Sequence, residues 1–117
     1  MTLKGSVCSD VAMQALGSKI ARQLQPGDGV FLLGQLGAGK TTLTRGMLRA
    51  WGYQGTVSSP TYAMVEEYVM DAFTLYHFDG YRLQDPDAWL QMGIDDYWRD
   101  DAICVIEWPE SGYEVLP

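Results

Sequence analysis

The eight residues GQLGAGKT at positions 34–41 constrain this chain more than any other part of it. Gly34, Gly39, Lys40 and Thr41 fit the pattern GxxxxGK[ST], in which glycines let backbone N–H groups turn onto phosphate oxygens without side-chain collision. Such a loop works between a strand and the N-terminus of a helix, whose dipole favours the anion. Both flanks are present. Val30, Phe31, Leu32 and Leu33 form an apolar run after Gly29, the pattern of a strand buried in a mostly parallel sheet. From Thr41 onward Leu43, Met47, Leu48 and Trp51 recur at helical spacing until Gly52 supplies a stop. The order strand, loop, helix predicts the α/β class: a three-layer P-loop NTPase-like domain with a mixed, mainly parallel central sheet.

The remaining segments fill in that architecture. Ser9 and Asp10 offer a cap, and Met13, Leu16, Ile20 and Leu24 predict an amphipathic helix over residues 10–24. Residues 61–69 and 72–78 are rich in Tyr, Phe, Val and Thr around Met70-Asp71, which predicts an antiparallel hairpin. Asp85-Pro86 reads as a cap and first helical position, starting a helix through Leu90 that Gly93 closes. Ala102, Ile103, Cys104, Val105 and Ile106 make a second buried-strand run, which with 30–33 forms the centre of the sheet.

Composition limits the function classes. At 117 residues the chain is expected to be one domain, residues 1–117, with an ordinary globular mix of 47% hydrophobic and 20% charged residues. A net charge of −7 with only eight Lys and Arg argues against direct binding of RNA or DNA, which needs clustered cations. It suits solubility or docking on a basic partner. No apolar run approaches the roughly 18 residues of a membrane span, and Cys8 and Cys104 form no CxxC, so a cytoplasmic protein with reduced thiols is expected.

The loop needs further groups to do chemistry. The backbone at Gly34, Leu36, Gly37, Ala38 and Gly39 would cradle phosphates, Lys40 would reach the β- and γ-phosphates, and the Thr41 hydroxyl would ligate Mg²⁺. Mg²⁺ also takes a carboxylate from the end of a neighbouring strand, and Glu107 directly follows the apolar run 102–106. His77 and Asp79 lie two apart on one side of a strand, too few ligands for zinc. Asp79 is expected to orient water or Mg²⁺ near the γ-phosphate, and His77 to position a neighbouring group. Ser58, Ser59, Pro60, Thr61 and Tyr62 form a hydroxyl-rich segment of the kind that orders on γ-phosphate in nucleotide switches. Trp108 stands beside Glu107 as core or as a reporter of the site.

Taken together, GQLGAGKTTLTRG, VSSPTYAMVEEY, YHFDGYRL and ICVIEWPE resemble, in order and spacing, the TsaE (YjeE) family over residues 10–116. The resemblance implies an ATPase of tRNA threonylcarbamoyladenosine (t6A) biosynthesis, acting with the TsaD and TsaB proteins that modify the adenosine next to the anticodon. It implies that Lys40 holds phosphates, Thr41 and Glu107 hold Mg²⁺, Thr42 lies by the phosphates and Asp79 supports hydrolysis. Ser59, Pro60, Thr61 and Tyr62 would be the switch-like loop, and Trp108 would flank the site. ATP would be the substrate, and tRNA would be reached only through the partners.

Three departures stand out. Gln35 replaces the family's usual Asp, Gly80 replaces a bulky apolar residue and is expected to loosen packing after Asp79, and the chain ends where family members continue with further strands. Besides slow, partner-stimulated, Mg²⁺-dependent ATP hydrolysis, the residues are compatible with a nucleotide-gated assembly factor without essential turnover. A small P-loop kinase is also conceivable, but no basic lid with clustered arginines follows the loop.

Overall fold

Strands β1 (Thr2–Leu3), β2 (Gly29–Leu32), β3 (Val65–Val69), β4 (Thr74–Asp79) and β5 (Ala102–Glu107) form one sheet in the order β1-β2-β5-β4-β3. Strands β1, β2, β5 and β4 run parallel, and β3 adds an antiparallel edge through its hairpin with β4. The computed structural model describes residues 2–3, 9–33, 39–57, 60 and 64–116. Gly34, Gln35, Leu36, Gly37, Ala38, Ser58, Ser59, Thr61, Tyr62 and Cys8 lie outside the described residues.

The helices form where cap and periodicity place them. Helix α1 (Asp10–Ala21) starts at Ser9, whose Oγ accepts a bond from the Ala12 amide at 3.1 Å. It ends at Ala21, three residues before Leu24, where the Gln23 and Leu24 amides donate to the Ile20 and Ala21 carbonyls three residues back and tighten the turn. Helix α2 (Gly39–Ala50) begins inside the glycine motif. Helix α3 (Pro86–Gln91) is capped by Asp85 Oδ1 on the Ala88 amide at 2.9 Å, with Pro86 in its first turn. Gly93, at φ 80°, closes it and opens the short α4 (Ile94–Tyr97), which has no sequence signal of its own.

Alternation along the strands divides the core into two layers. Val30, Leu32, Leu75, Ile103 and Val105 pack with Met13, Ile20, Leu43, Met47 and Leu48 of α1 and α2. Tyr76, Phe78, Cys104 and Ile106 pack with Trp89 and Ile94 of α3 and α4 on the other face. The sheet with helices on both sides is therefore the expected three-layer α/β arrangement. Strand β5 is its middle strand, buried at all six positions, with β2 one place out, shifted by one residue from the 30–33 expected. Burial pushes the Cys104 thiol up to about 12, so it is a packing group and not a nucleophile. No helix among the described residues is long and apolar enough to cross a membrane.

Two turns were not legible beforehand. Residues Gly80–Arg82 and Pro109–Gly112 form 3₁₀ turns that continue β4 and β5 beyond the sheet. They pin each other on the α3 side, where Trp89 Nε1 donates to Ser111 Oγ at 3.0 Å and that hydroxyl donates to the Leu83 carbonyl. Gly80 reverses the expectation of looser packing: a Cβ there would stand 2.2 Å from the Trp108 carbonyl oxygen and 2.5 Å from that of Glu107. Glycine here permits a closer backbone approach than any side chain would allow.

Helices α1 and α2 also meet through glycines. A Cβ on Gly17 would lie 2.3 Å from the Leu43 carbonyl oxygen, and one on Gly46 would lie 2.3 Å from that of Gln14. Helix propensity alone would make alanine stabilising at both, by about 1 kcal/mol. The contacts are to backbone, which cannot rotate away, so overpacking wins. Gly17→Ala and Gly46→Ala are each expected to destabilise by about 1–3 kcal/mol in urea unfolding at unchanged m. The double variant should cost less than the sum, because the first substitution already parts the helices; a raised midpoint for either single variant would contradict this packing.

Candidate active site

Parallel pairing in register brings the chemistry to one end of the sheet. Leu32 of β2 pairs with Glu107 of β5, and Glu107 pairs with Asp79 of β4, so three strand ends stand side by side where the glycine loop begins. His77, Asp79 and Glu107 follow the alternation of Leu75, Ile103 and Val105 and face the α1–α2 layer. The two-residue spacing expected to put His77 and Asp79 on one side does so.

Lys40 comes back toward them from the first turn of α2. Its carbonyl accepts a bond from the buried Thr44 hydroxyl at 3.1 Å, which fixes the turn. Its ammonium lies 3.7 Å from Glu107 Oε1 and 4.2 Å above the centre of the Trp108 ring. Burial lowers the Lys40 pKa, and the carboxylates of Glu107 and Asp79 counter that shift. Thr42 is buried beside it and Thr41 is half-buried in the same turn.

Glu107 is held from its other side by His77. The imidazole is fully buried and its Nε2 sits 2.5 Å from Glu107 Oε2, although neither ring nitrogen makes a regular hydrogen bond among the described residues. Asp79 caps the turn that follows it: Oδ1 accepts from the Tyr81 amide at 3.1 Å, and Oδ2 lies 3.7 Å from Arg82 Nε. Burial raises the Asp79 pKa, the Tyr81 amide opposes this, and the neighbouring charge of Glu107 adds to it.

Trp108 is a residue in left-handed backbone conformation, φ 51°, directly after the strand. That turn lays its ring under Lys40 and against the edge of Tyr81. Asp79, Tyr81, Arg82, Gln84, Glu107 and Trp108 line an open cleft of about 440 Å³. Of these, Tyr81, Arg82 and Gln84 were not anticipated from the sequence; the only available signal was Arg82 three residues after Asp79, a spacing that a 3₁₀ turn makes eclipsed. The segment around Pro60 ends at the same place, since the Met64 amide donates to the Pro60 carbonyl and the Asp79 amide to the Met64 carbonyl, both at 2.8 Å. Met64, like Trp108, has positive φ, at 64°.

The donor set suits a hard cation: a threonine hydroxyl and two carboxylates, all oxygen. Among the described residues no group of three His, Cys, Asp or Glu could hold a metal. A phosphate-bound Mg²⁺ does not need one, because it takes one or two protein ligands and completes its shell with phosphate and water.

A family model for the threonylcarbamoyl adenosine biosynthesis protein TsaE matches residues 7–117. This chain belongs to the TsaE family. It is 59% identical over 88 residues to the tRNA threonylcarbamoyladenosine biosynthesis protein TsaE of Haemophilus influenzae, a match covering 75% of this chain and 56% of that protein. It is 36% identical over 115 residues to the protein of the same name from Bacillus subtilis, covering 98% of this chain and 72% of the relative. The crystal structure of Bacillus subtilis YdiB superposes with a TM-score of 0.74 at 32% identity, over 95% of this chain and 67% of that one. The mixed, mainly parallel sheet flanked by helices is thus the fold of a TsaE-like protein, as the motifs implied.

The electrostatics of Asp79 give a test. A carboxyl whose folded pKa is raised binds its proton more readily folded than unfolded, so its contribution falls as pH rises through the folded pKa and the cost of the buried charge is present in full above it. Asp79→Asn keeps an acceptor for the Tyr81 amide and removes that charge. Its melting temperature should equal or exceed the parent's at pH 7, with the difference shrinking toward pH 4. A variant less stable than the parent at every pH would show that the carboxylate's attractive contacts outweigh its burial.

Proposed function

We propose that this chain binds ATP with Mg²⁺ and hydrolyses it to ADP and phosphate in the t6A modification of tRNA next to the anticodon, acting with TsaD and TsaB. The observation that carries the proposal is the convergence of Lys40 with Glu107 at the carboxyl ends of β2 and β5, directly after a GxxxxGK[ST] loop. Family membership supports the pathway, because relatives carry the name tRNA threonylcarbamoyladenosine biosynthesis protein.

The residues divide the work as follows. The backbone N–H groups of Gly34, Leu36, Gly37, Ala38 and Gly39 would bind the phosphates, with Thr42 beside them. Lys40 leaves Glu107 and the Trp108 ring to bind the β- and γ-phosphates. Thr41 and Glu107 hold Mg²⁺, which neutralises charge on the phosphate oxygens when bound. His77 keeps the Glu107 carboxylate aimed at the cleft. Asp79, whose pKa is raised by burial, accepts a proton from the attacking water as the bond from γ-phosphorus to the bridging oxygen breaks.

The switch role of Ser59, Pro60, Thr61 and Tyr62 is supported by the bond chain from Pro60 through Met64 to Asp79. A net charge of −7 fits contact with tRNA through the partners, and the two cysteines without a CxxC fit a cytoplasmic location. Phosphate release with Mg-ATP should be slow for this chain alone, rise with TsaD and TsaB, and fall at least about a hundredfold in Lys40→Ala. Glu107→Gln should shift the Mg²⁺ requirement upward. Equal release by parent and Lys40→Ala in the presence of the partners would rule out hydrolysis at this site.

A further inference from the structure

We infer that Arg82 is a second phosphate-facing cation, a catalytic residue that meets the γ-phosphate from the side opposite Lys40. The inference rests on the nucleotide reading above and adds a residue to it. It begins with the register: Asp79 and Glu107 are paired neighbours on adjacent strand ends, and a basic side chain stands within 3.7 Å of each. Lys40 approaches Glu107 from α2 at 3.7 Å, whereas Arg82 approaches Asp79 at 3.7 Å from the turn beyond β4. An anion entering over the two strand ends therefore lies between a lysine and an arginine that belong to different elements.

Among the described residues lining the cleft Arg82 is the one cation, beside Asp79 and Glu107. A polyphosphate approaching those carboxylates is repelled by both, and Lys40 alone leaves the cleft acidic. The guanidinium supplies what is missing, with a planar fork of donors that matches phosphoryl oxygens and a charge that does not titrate. Its side chain is 43% exposed, so it is free to swing from Asp79 toward an incoming phosphate. A pair this exposed contributes little to stability, so holding the fold is a weak reason for its position. Asp79 has a second task in this arrangement: by capping the Gly80–Arg82 turn through the Tyr81 amide, it fixes where the guanidinium starts from.

The same exposure makes the test clean. Affinities for Mg-ATP and Mg-ADP, and phosphate release, are to be measured for the parent, Arg82→Ala and Arg82→Lys. Arg82→Ala should bind Mg-ADP within about twofold of the parent, bind Mg-ATP more weakly than the parent does, and release phosphate about a hundredfold more slowly. Arg82→Lys should recover ATP affinity in part and turnover less, since a point charge replaces attraction but not the fork. Arg82→Ala equal to the parent in ATP preference and turnover would overturn the assignment, and so would an equal loss of ATP and ADP binding, which would mark a structural role. A parent that binds ATP but releases no phosphate would defeat hydrolysis alone, and the change in the ATP-to-ADP affinity ratio from parent to Arg82→Ala would still decide the Arg82 assignment.

Discussion

The approach of Lys40 to Glu107 is the contact on which the rest of the molecule is arranged. It joins a helix that starts inside the glycine motif to the middle strand of the sheet, and it works only if β2 and β5 are parallel and in the observed register. A one-residue slip of β5 would turn Glu107 to the α3 side and bring a core residue to the Lys40 side. The all-apolar interior of β5 guards against this, because every position from Ala102 to Ile106 is buried and a slip would repack both faces at once. Core packing and site geometry are thus one constraint.

Around that contact the polar side chains are stacked in layers of decreasing burial. His77 is sealed beneath Glu107, Lys40 and Asp79 lie just under the surface, and Arg82 reaches into solvent. Burial lowers the Lys40 pKa and raises that of Asp79, so in each case it works against the charged form. Sites that later bind a charged ligand commonly carry such stored cost, which the ligand relieves. The left-handed backbone at Trp108 and Met64 belongs to the same pattern, since both strained residues touch the groups around the cleft.

Much of this was legible in the residues because short-range rules governed it. The helix starting at Gly39, the Asp85-Pro86 cap, the apolar run ending in Glu107 and the alternation through His77 and Asp79 each carry their meaning within a few positions. The antiparallel hairpin was legible too, although its connection spans Met70 to Phe73 and not two residues. What escaped depended on contacts far apart in sequence. The two 3₁₀ turns are held by each other through Ser111, Trp89 and Leu83, so neither has a local signature, and the cleft residues Tyr81, Arg82 and Gln84 went unseen with them. Gly80 was misjudged for the same reason: absence of a side chain suggested space, whereas the Trp108 backbone fills it.

That last contact has a consequence for how the sequence can change. Residue 80 and the backbone path at Glu107 and Trp108 form one inherited unit, because the peptide that carries the lysine-binding tryptophan passes where a Cβ would be. Grafting the bulkier family residue onto this background would displace the Trp108 carbonyl and with it the ring beneath Lys40. A swap harmless in a relative would here be epistatic with the site itself, so the two segments are better exchanged together than one at a time.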